Sequence, residues 1–191
     1  DGLLRVHFSK MIPFPDKKYS IIYADPPWHF SNWSGNGTVK APINHYPTMK
    51  FKDICNLPVS DICDDDCVLF MWTCDPLLHK SFKVMESWGF TYKTMGFVWV
   101  KTNKENKPRM GLGYWTRGST EYCLLATKGK PKRVSTSVHK TVLERPREHS
   151  RKPDRIRSDI VDLCGDVPRI ELFAREHSLF DGGWDFWGNE V

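Results

Sequence analysis

No run of 18 apolar residues occurs in this 191-residue chain, so no membrane-spanning helix and no membrane partner are expected. Staples are equally scarce. The six cysteines, Cys55, Cys63, Cys67, Cys74, Cys123 and Cys164, include no C-x-x-C pair. Cys63, Cys67 and Cys74 with His79 fit no common zinc-finger spacing, so no metal is expected. Cysteines set in apolar runs such as CVLFMW and YCLLA read instead as reduced core thiols, which suits a cytoplasmic protein, or a nuclear one in a eukaryote. A chain of this length needs no staple, since roughly 70% of its unfolded surface can be buried. The opening DGLLRVHFSK lacks an initiator Met, as a trimmed chain would, and has no apolar core long enough for a signal peptide. Internal repeats and low-complexity tracts are also absent, and the length suits a single domain, residues 1–191, with 1–18 as a lead-in.

What is present is an uneven distribution of charge. The net charge is +5, but residues 128–157 hold 11 Lys/Arg against 3 Asp/Glu, leaving 17 against 20 for the rest of the chain. A basic segment on a slightly acidic body suggests a polyanionic partner, with nucleic acid the first candidate, and Lys130, Lys132, Arg133 and Lys140 as its phosphate contacts. Read blandly, the same segment is a solvated face.

Strand-like and helix-like stretches alternate. YSIIYA (19–24), CVLFMWT (67–73), TYKTMGFVWVKT (91–102), STEYCLLATKG (119–129) and PRIELFAR (168–175) read as strands, and VSTSVHKTVL (134–143) as a further one. PTMKFKDICNL starts a helix at Pro47 with Thr48 as its cap, DPLLHKSFKVMESWGF ends one at Gly89, and KPDRIRSDIVDLCG (152–165) has Pro153 in its first turn and Gly165 as its stop. Polar, glycine-bearing loops at 31–45 and 103–118 are long enough to be functional. The pattern predicts an α/β fold with a mostly parallel sheet and helices on both faces. Ligands of such sheets bind beyond the carboxyl ends of the strands, where ADPPW (24–28) and FAREHS (173–178) both fall.

An acid followed by two prolines and an aromatic, at the end of a buried strand, suits chemistry on an exocyclic amine. Alone, D-P-P is a turn more often than a site. A nucleobase amine is a poor nucleophile because its lone pair is delocalised into the ring. The Asp25 carboxylate and the Pro26 carbonyl would accept its two N–H groups and free that lone pair. Pro26 and Pro27 would hold the acceptors rigid, and Trp28 would offer a face for a base extruded from its stack.

At this turn a family resemblance becomes specific. ADPPW (24–28), HYPTM (45–49), VLFMWT (68–73), WGF (88–90), FVWVKTN (97–103), GYWTRGSTEYCLLATKGKP (113–131), HSRKPD (149–154), IELFAR (170–175) and WGN (187–189) follow in the order and spacing of the MT-A seventy family of adenine methyltransferases, from about residue 19 to 191. That family includes the catalytic subunit of the eukaryotic mRNA adenosine methyltransferase and small bacterial and phage DNA enzymes.

The resemblance implies a Rossmann-like class I methyltransferase fold with permuted motif order, the catalytic strand preceding the cofactor strand. It implies S-adenosylmethionine as cofactor and the 6-amino group of adenine as acceptor. DNA is favoured over RNA because the chain is small and without accessory arms. A catalytically silent nucleic-acid-binding subunit is the alternative of another class, disfavoured by the intact D-P-P-W; a cytosine-4-amino enzyme is disfavoured by Asp25, where Ser is usual. Asp25, Pro26, Pro27 and Trp28 match the catalytic motif, with Asp25 also near the cofactor's methionine part. Lys152, Phe173, Arg175, His177, Ser178, Asn189 and Glu190 match cofactor positions, although Ser178 stands where Asn is frequent and Glu190 where Gln is frequent. Tyr46 matches a gate beside the acceptor base. Asp16, or main-chain groups near Pro13 and Phe14, would serve the cofactor's adenine. A homodimer is expected, since one small chain offers limited grip on a polyanion.

Overall fold

The computed structural model describes residues 12–29, 48–111, 113–148, 150–174 and 182–188. In chain order the elements are β1 (Tyr19–Ala24), α1 (Phe51–Cys55), β2 (Cys63–Thr73), α2 (Leu78–Ser87), β3 (Thr91–Lys101), β4 (Thr120–Lys128), β5 (Thr141–Glu144), α3 (Arg155–Cys164), β6 (Arg169–Leu172) and β7 (Asp185–Trp187). They form one seven-stranded sheet in the order β5-β3-β4-β2-β1-β6-β7. β1 pairs in parallel with β2 and β6, β6 with β7, and β3 with β5, whereas β4 runs antiparallel to both β2 and β3. The sheet is therefore mostly parallel, as expected, with one reversed strand.

Alternation along the strands divides the core. Ile22 and Ala24 of β1, with Leu69 and Met71 of β2, join Ile54 of α1 and Val84 and Met85 of α2 on one face. Ile21, Tyr23, Val68, Phe70 and Trp72 join Ile156 and Ile160 of α3 on the other. Helices thus cover both faces, which is why β1 and β2 read as nearly continuous apolar runs. The strand carrying D-P-P-W comes first in the chain, and β6 comes late yet lies beside it, which is the permuted order that the resemblance implies.

Several boundaries differ from expectation, each for a local reason. β2 begins at Cys63, four residues early, because the acidic Asp64–Asp66 stretch carries no apolar signal. The strand expected over 134–143 is reduced to Thr141–Glu144. Thr48 does not cap α1: Lys50 occupies that place without a side-chain bond, and the Thr48 hydroxyl lies 3.0 Å from His29 Nδ1. α3 starts at Arg155, after Pro153, and stops where expected, at Gly165 with φ of 91°. β7 is three residues long, too short for periodicity to reveal.

Candidate active site at the carboxyl rim of the sheet

After β1 the chain turns towards β2 on one side, and after β6 towards β7 on the other. The connections diverge between β1 and β6, and such a switch point leaves a crevice beyond the strand ends. Asp25 follows β1 and Phe173 follows β6, so these two expected residues flank the crevice. The antiparallel β4 brings its beginning, not its end, to this rim: Tyr122 is opposite Thr73, the last residue of β2.

The D-P-P-W turn is held by its own backbone. The Trp28 N–H donates to the Pro26 carbonyl at 2.8 Å, and the Met49 N–H to the Pro27 carbonyl at 2.9 Å. Proline contributes no N–H and a fixed φ, so the turn has few other conformations. One lone pair of the Pro26 carbonyl is used within the turn, and among the described residues no donor takes the second.

Asp25 belongs to a chain of alternating charges. Its Oδ2 lies 2.8 Å from Lys152 Nζ, which also lies 3.2 Å from Glu121 Oε2. Glu121 in turn pairs with Lys101 at the end of β3. Lys152 Nζ stands over the Trp72 ring, 5.6 Å from its centroid. Burial disfavours the Lys152 ammonium, but Asp25 and Glu121 outweigh it and raise the pKa above the ordinary lysine value. Burial likewise opposes the charge of Glu121, and the two lysines overcome it, holding the carboxyl below its usual range. Lys152 and Glu121 are therefore both ionised near neutral pH. The neighbouring thiols are inert: burial, seconded by Glu121, pushes Cys74 up to about 12, and burial with Asp25 raises Cys123 further. All six cysteines are free, as read from the sequence.

Beneath this layer, the Trp72 indole N–H donates to the Tyr23 hydroxyl at 2.7 Å, and Arg157 grips Glu171 of β6 at 2.5 and 2.9 Å. On the other side of the crevice, Phe173 holds φ of 63° and its ring meets Trp187 edge-on at 5.6 Å. Phe14 packs on the same indole at 4.5 Å, and Trp187 Nε1 donates to the Ile12 carbonyl at 2.9 Å. Residues 12–14 therefore reach this rim, whereas Asp16 is exposed further down. Gly188 is required there, because a Cβ would lie 2.7 Å from the Ala174 carbonyl.

The structure brings Asp25, Pro26, Lys152 and Phe173 to one rim. Trp28 is there too, but not as an open platform. Its side chain is buried in the core, only 7% exposed, and its indole N–H donates to the Trp72 carbonyl at 3.3 Å. It fastens the D-P-P-W turn to the end of β2, so in place of the open stacking face expected for it the indole is a buried anchor. Lys152 faces Asp25 rather than standing alone at a helix start. Lys130, Lys132 and Arg133 follow the far end of β4, where Lys128 is opposite Cys67, so they lie at the opposite rim from Asp25. Lys140 precedes the edge strand β5, its carbonyl accepting from the N–H of Val98, which is opposite Tyr122 and so level with the carboxyl end of β2. Tyr46, Arg175, His177, Ser178, Asn189, Glu190 and the 31–45 loop lie outside the described residues. Sequence reasoning missed Glu121 and Lys101. The signal was available for Glu121, a carboxylate at a strand start otherwise flanked by Tyr122, Cys123 and Leu124. No cluster of potential metal ligands occurs among the described residues.

The arrangement offers a carboxylate for an ammonium group or an amine, an ammonium for a carboxylate, and aromatic faces for a purine. The MT-A70 (MT-A seventy) family model matches residues 19–190. The chain is similar to the Type II methyltransferase M.MunI of a Mycoplasma species, 37% identical over 194 residues that cover 93% of this chain and 79% of that protein. It is also similar to the N(6)-adenosine-methyltransferase MT-A70-like protein of Arabidopsis thaliana, 29% identical over 91% of this chain and 24% of that one. The N(6)-adenosine-methyltransferase catalytic subunit METTL3 of Homo sapiens is 29% identical over 91% of this chain and 28% of its own length. The chain thus spans about a quarter of those eukaryotic relatives. With a family match over nearly its whole length and the D-P-P-W acid poised at the switch point of the sheet, the chain belongs to the MT-A70 family of N6-adenine methyltransferases.

Proposed function

We propose that this chain methylates the 6-amino group of adenine in DNA, using S-adenosylmethionine. The observation that carries this reading is Asp25, fixed by two prolines at the carboxyl end of β1 and ion-paired with Lys152 at 2.8 Å. The Asp25 carboxylate and the free lone pair of the Pro26 carbonyl accept the two amine N–H groups and localise the nitrogen lone pair. Because these acceptors are set before the substrate arrives, little reorganisation is needed in the transition state. Lys152 keeps Asp25 an acceptor, and Asp25 receives the proton that the amine loses as its new N–C bond forms. Glu121 and Lys101 hold the Lys152 ammonium in place.

The cofactor, when bound, supplies an electrophilic methyl group on a sulfonium. The donor set fits it: Asp25 and Lys152 complement its methionine ammonium and carboxylate, and Phe173 lines its pocket, with Arg175, His177, Ser178, Asn189 and Glu190 as further contacts carried by the family motif. The second crevice wall, formed by Phe14, Phe173 and Trp187, suits a purine. Tyr46 is the proposed gate beside the acceptor base. The whole chain acts as one methyltransferase domain, as a homodimer in the cytoplasm; among the described residues no helix is long and apolar enough to cross a membrane. Sedimentation showing a strict monomer that is active at nanomolar concentration overturns the dimer.

DNA is favoured by the similarity to a Type II methyltransferase along most of that protein's length. RNA is the second reading, favoured by the N(6)-adenosine-methyltransferase names of the eukaryotic relatives. The reacting amine is the same in both, so the test is direct. Tritiated cofactor is incubated with matched DNA and RNA oligonucleotides, and label in N6-methyladenine of the DNA is expected. Label in RNA alone overturns the DNA assignment, and label in neither overturns the activity.

A further inference from the structure

The hairpin between β3 and β4 is a part of this rim that the reaction above leaves unused. It leaves β3 at Lys101 and returns at Thr120, so both its ends adjoin the Lys101–Glu121 pair. Its neck is closed by main-chain bonds, from the Arg109 N–H to the Lys101 carbonyl at 2.7 Å and from the Gly111 N–H to the Gly118 carbonyl at 2.9 Å. Asn103 Oδ1 accepts from the Glu105 and Lys107 N–H groups at 2.9 and 3.0 Å. Gly111 and Gly118 approach so closely that a Cβ on Gly111 would lie 2.4 Å from the Gly118 carbonyl oxygen.

This well-tied loop carries Tyr114 and Trp115 at its tip, 73% and 93% exposed. Trp115 has φ of 66°, a left-handed conformation that residues with a Cβ adopt only at a cost. An indole carries roughly 150–250 Å² of surface that favours burial. Here the fold spends backbone strain to keep it in water, which points to a ligand rather than to packing. Its surroundings say which ligand. Lys104, Lys107 and Arg109 are exposed on the same hairpin, and residues 103–118 hold four Lys/Arg against one Glu. An exposed aromatic flanked by cations is the surface that takes a base on its face and phosphates on its edges.

We infer that Trp115 stacks on the π-face of a nucleobase beside the target adenine, while Lys104, Lys107 and Arg109 contact the flanking phosphates. The inference rests on the nucleic-acid reading above. Moving the adenine into the crevice breaks its stacking, and an indole presented at the same rim replaces part of what is lost. Trp28, buried beneath the turn, is in no position to do this.

The test uses Trp115→Ala, Trp115→Leu and Trp115→Tyr in the full chain, with fluorescently labelled duplex and single-stranded oligonucleotides. Binding is followed by anisotropy, which needs no turnover, and methylation is assayed in parallel. Thermal stability and cofactor affinity should match the parent, because the side chain packs on little. Trp115→Ala should raise the Kd and KM for nucleic acid five- to a hundredfold with kcat at saturation within about twofold, the range expected for one stacked base. Tyr should restore most of the loss and Leu little. A larger loss on duplex places the indole in the gap left by the extruded adenine, and an equal loss places it on a neighbouring base. Unchanged affinity in Trp115→Ala, or rescue by Leu as good as by Tyr, overturns the stacking role while leaving the methyltransferase reading intact. A parent protein that binds neither oligonucleotide overturns both, and a protein partner for the hairpin then replaces nucleic acid.

Discussion

The two ends of the basic segment 128–157 are alike in sequence and unlike in the fold. At its start, Lys130, Lys132, Arg133 and Lys140 are exposed, and among the described residues none of them has a carboxylate partner. Lys130 even lies beside acid, its main-chain N–H donating to Asp66 Oδ1 at 2.7 Å. At its end, Arg147 and Arg151 pair with Glu144, Glu148 and Asp154, Arg155 with Asp159, Arg157 with Glu171, and Lys152 with Asp25 and Glu121. Lys130, Lys132 and Arg133 are at the rim opposite the crevice, Lys140 precedes the edge strand β5, and Lys152 of the second group meets Asp25 at the crevice. A run of like charge in a sequence is therefore not a surface: five of its eleven cations are paired with carboxylates, and of these Lys152 and Arg157 are largely covered. The charges that meet Asp25 are paired, whereas Lys130, Lys132 and Arg133 are exposed at the opposite rim.

The sharpest way to break this contrast is at the acid of the paired end. Asp25→Ala should abolish turnover, and Asp25→Asn should leave about a hundredth to a thousandth of it, the usual effect of losing a preorganised charged group. The loss should fall on kcat and not on nucleic-acid affinity. More than half of the parental kcat in either variant removes Asp25 from the mechanism.

Glu121→Gln should destabilise the fold by ~3 kcal/mol, because Lys101 and Lys152 then share too little negative charge in a mostly buried site. The pH dependence has a definite sign. The folded-state pKa of Glu121 is lowered, so its contribution is complete above the ordinary carboxylate range and drains away as pH falls through the depressed value. Lys152 is the mirror case: its raised pKa makes its contribution complete at neutral pH and lost only as pH climbs past the ordinary lysine value. Denaturant unfolding of parent and Glu121→Gln should thus differ at pH 7 and converge in acid. A gap that stays constant down to pH 2 assigns the effect to packing alone.

Trp28→Ala should cost ~3 kcal/mol of stability, in line with a large side chain removed from a core, and should lower kcat through the loosened turn. Trp28→Phe should keep most of the stability but lose the bond to the Trp72 carbonyl. If Trp28→Ala instead melts like the parent and weakens only substrate binding, the indole is an open platform after all.

Arg175→Ala and His177→Ala should each weaken S-adenosylmethionine binding by ~1–3 kcal/mol, the cost of hydrogen bonds lost to a small ligand. Calorimetry with unchanged affinity in both variants discards the cofactor-loop assignment.

The smallest effect belongs to the unpaired end. Replacing Lys130, Lys132, Arg133 and Lys140 together by Ala should change the slope of log K against log salt by less than one phosphate contact, roughly 0.7–0.9. A fall several times larger means that the nucleic acid wraps to the opposite rim, and the sequence-level reading of this segment then stands despite its distance from the crevice.

The sequence by itself determined the elements whose periodicity runs long enough to be unmistakable: the buried strands β1 and β2, the β3–β4 pair, and helices α2 and α3 with their glycine stops. It also determined the place and stiffness of the D-P-P-W turn, because two prolines at a strand end constrain the backbone locally, without help from distant residues. Only the tertiary structure decided what meets that turn. Glu121 and Lys101 became part of the site because an antiparallel strand starts where its parallel neighbours end, and strand direction is not written in any window of residues. Trp28 changed from platform to anchor for the same reason, since burial depends on what packs above a side chain. Trp115, in the sequence one residue of the 103–118 loop, was set apart by its exposure and positive φ. Local backbone preference is encoded residue by residue, whereas electrostatic pairing and burial are properties of chain segments brought together from as far apart as Asp25 and Lys152.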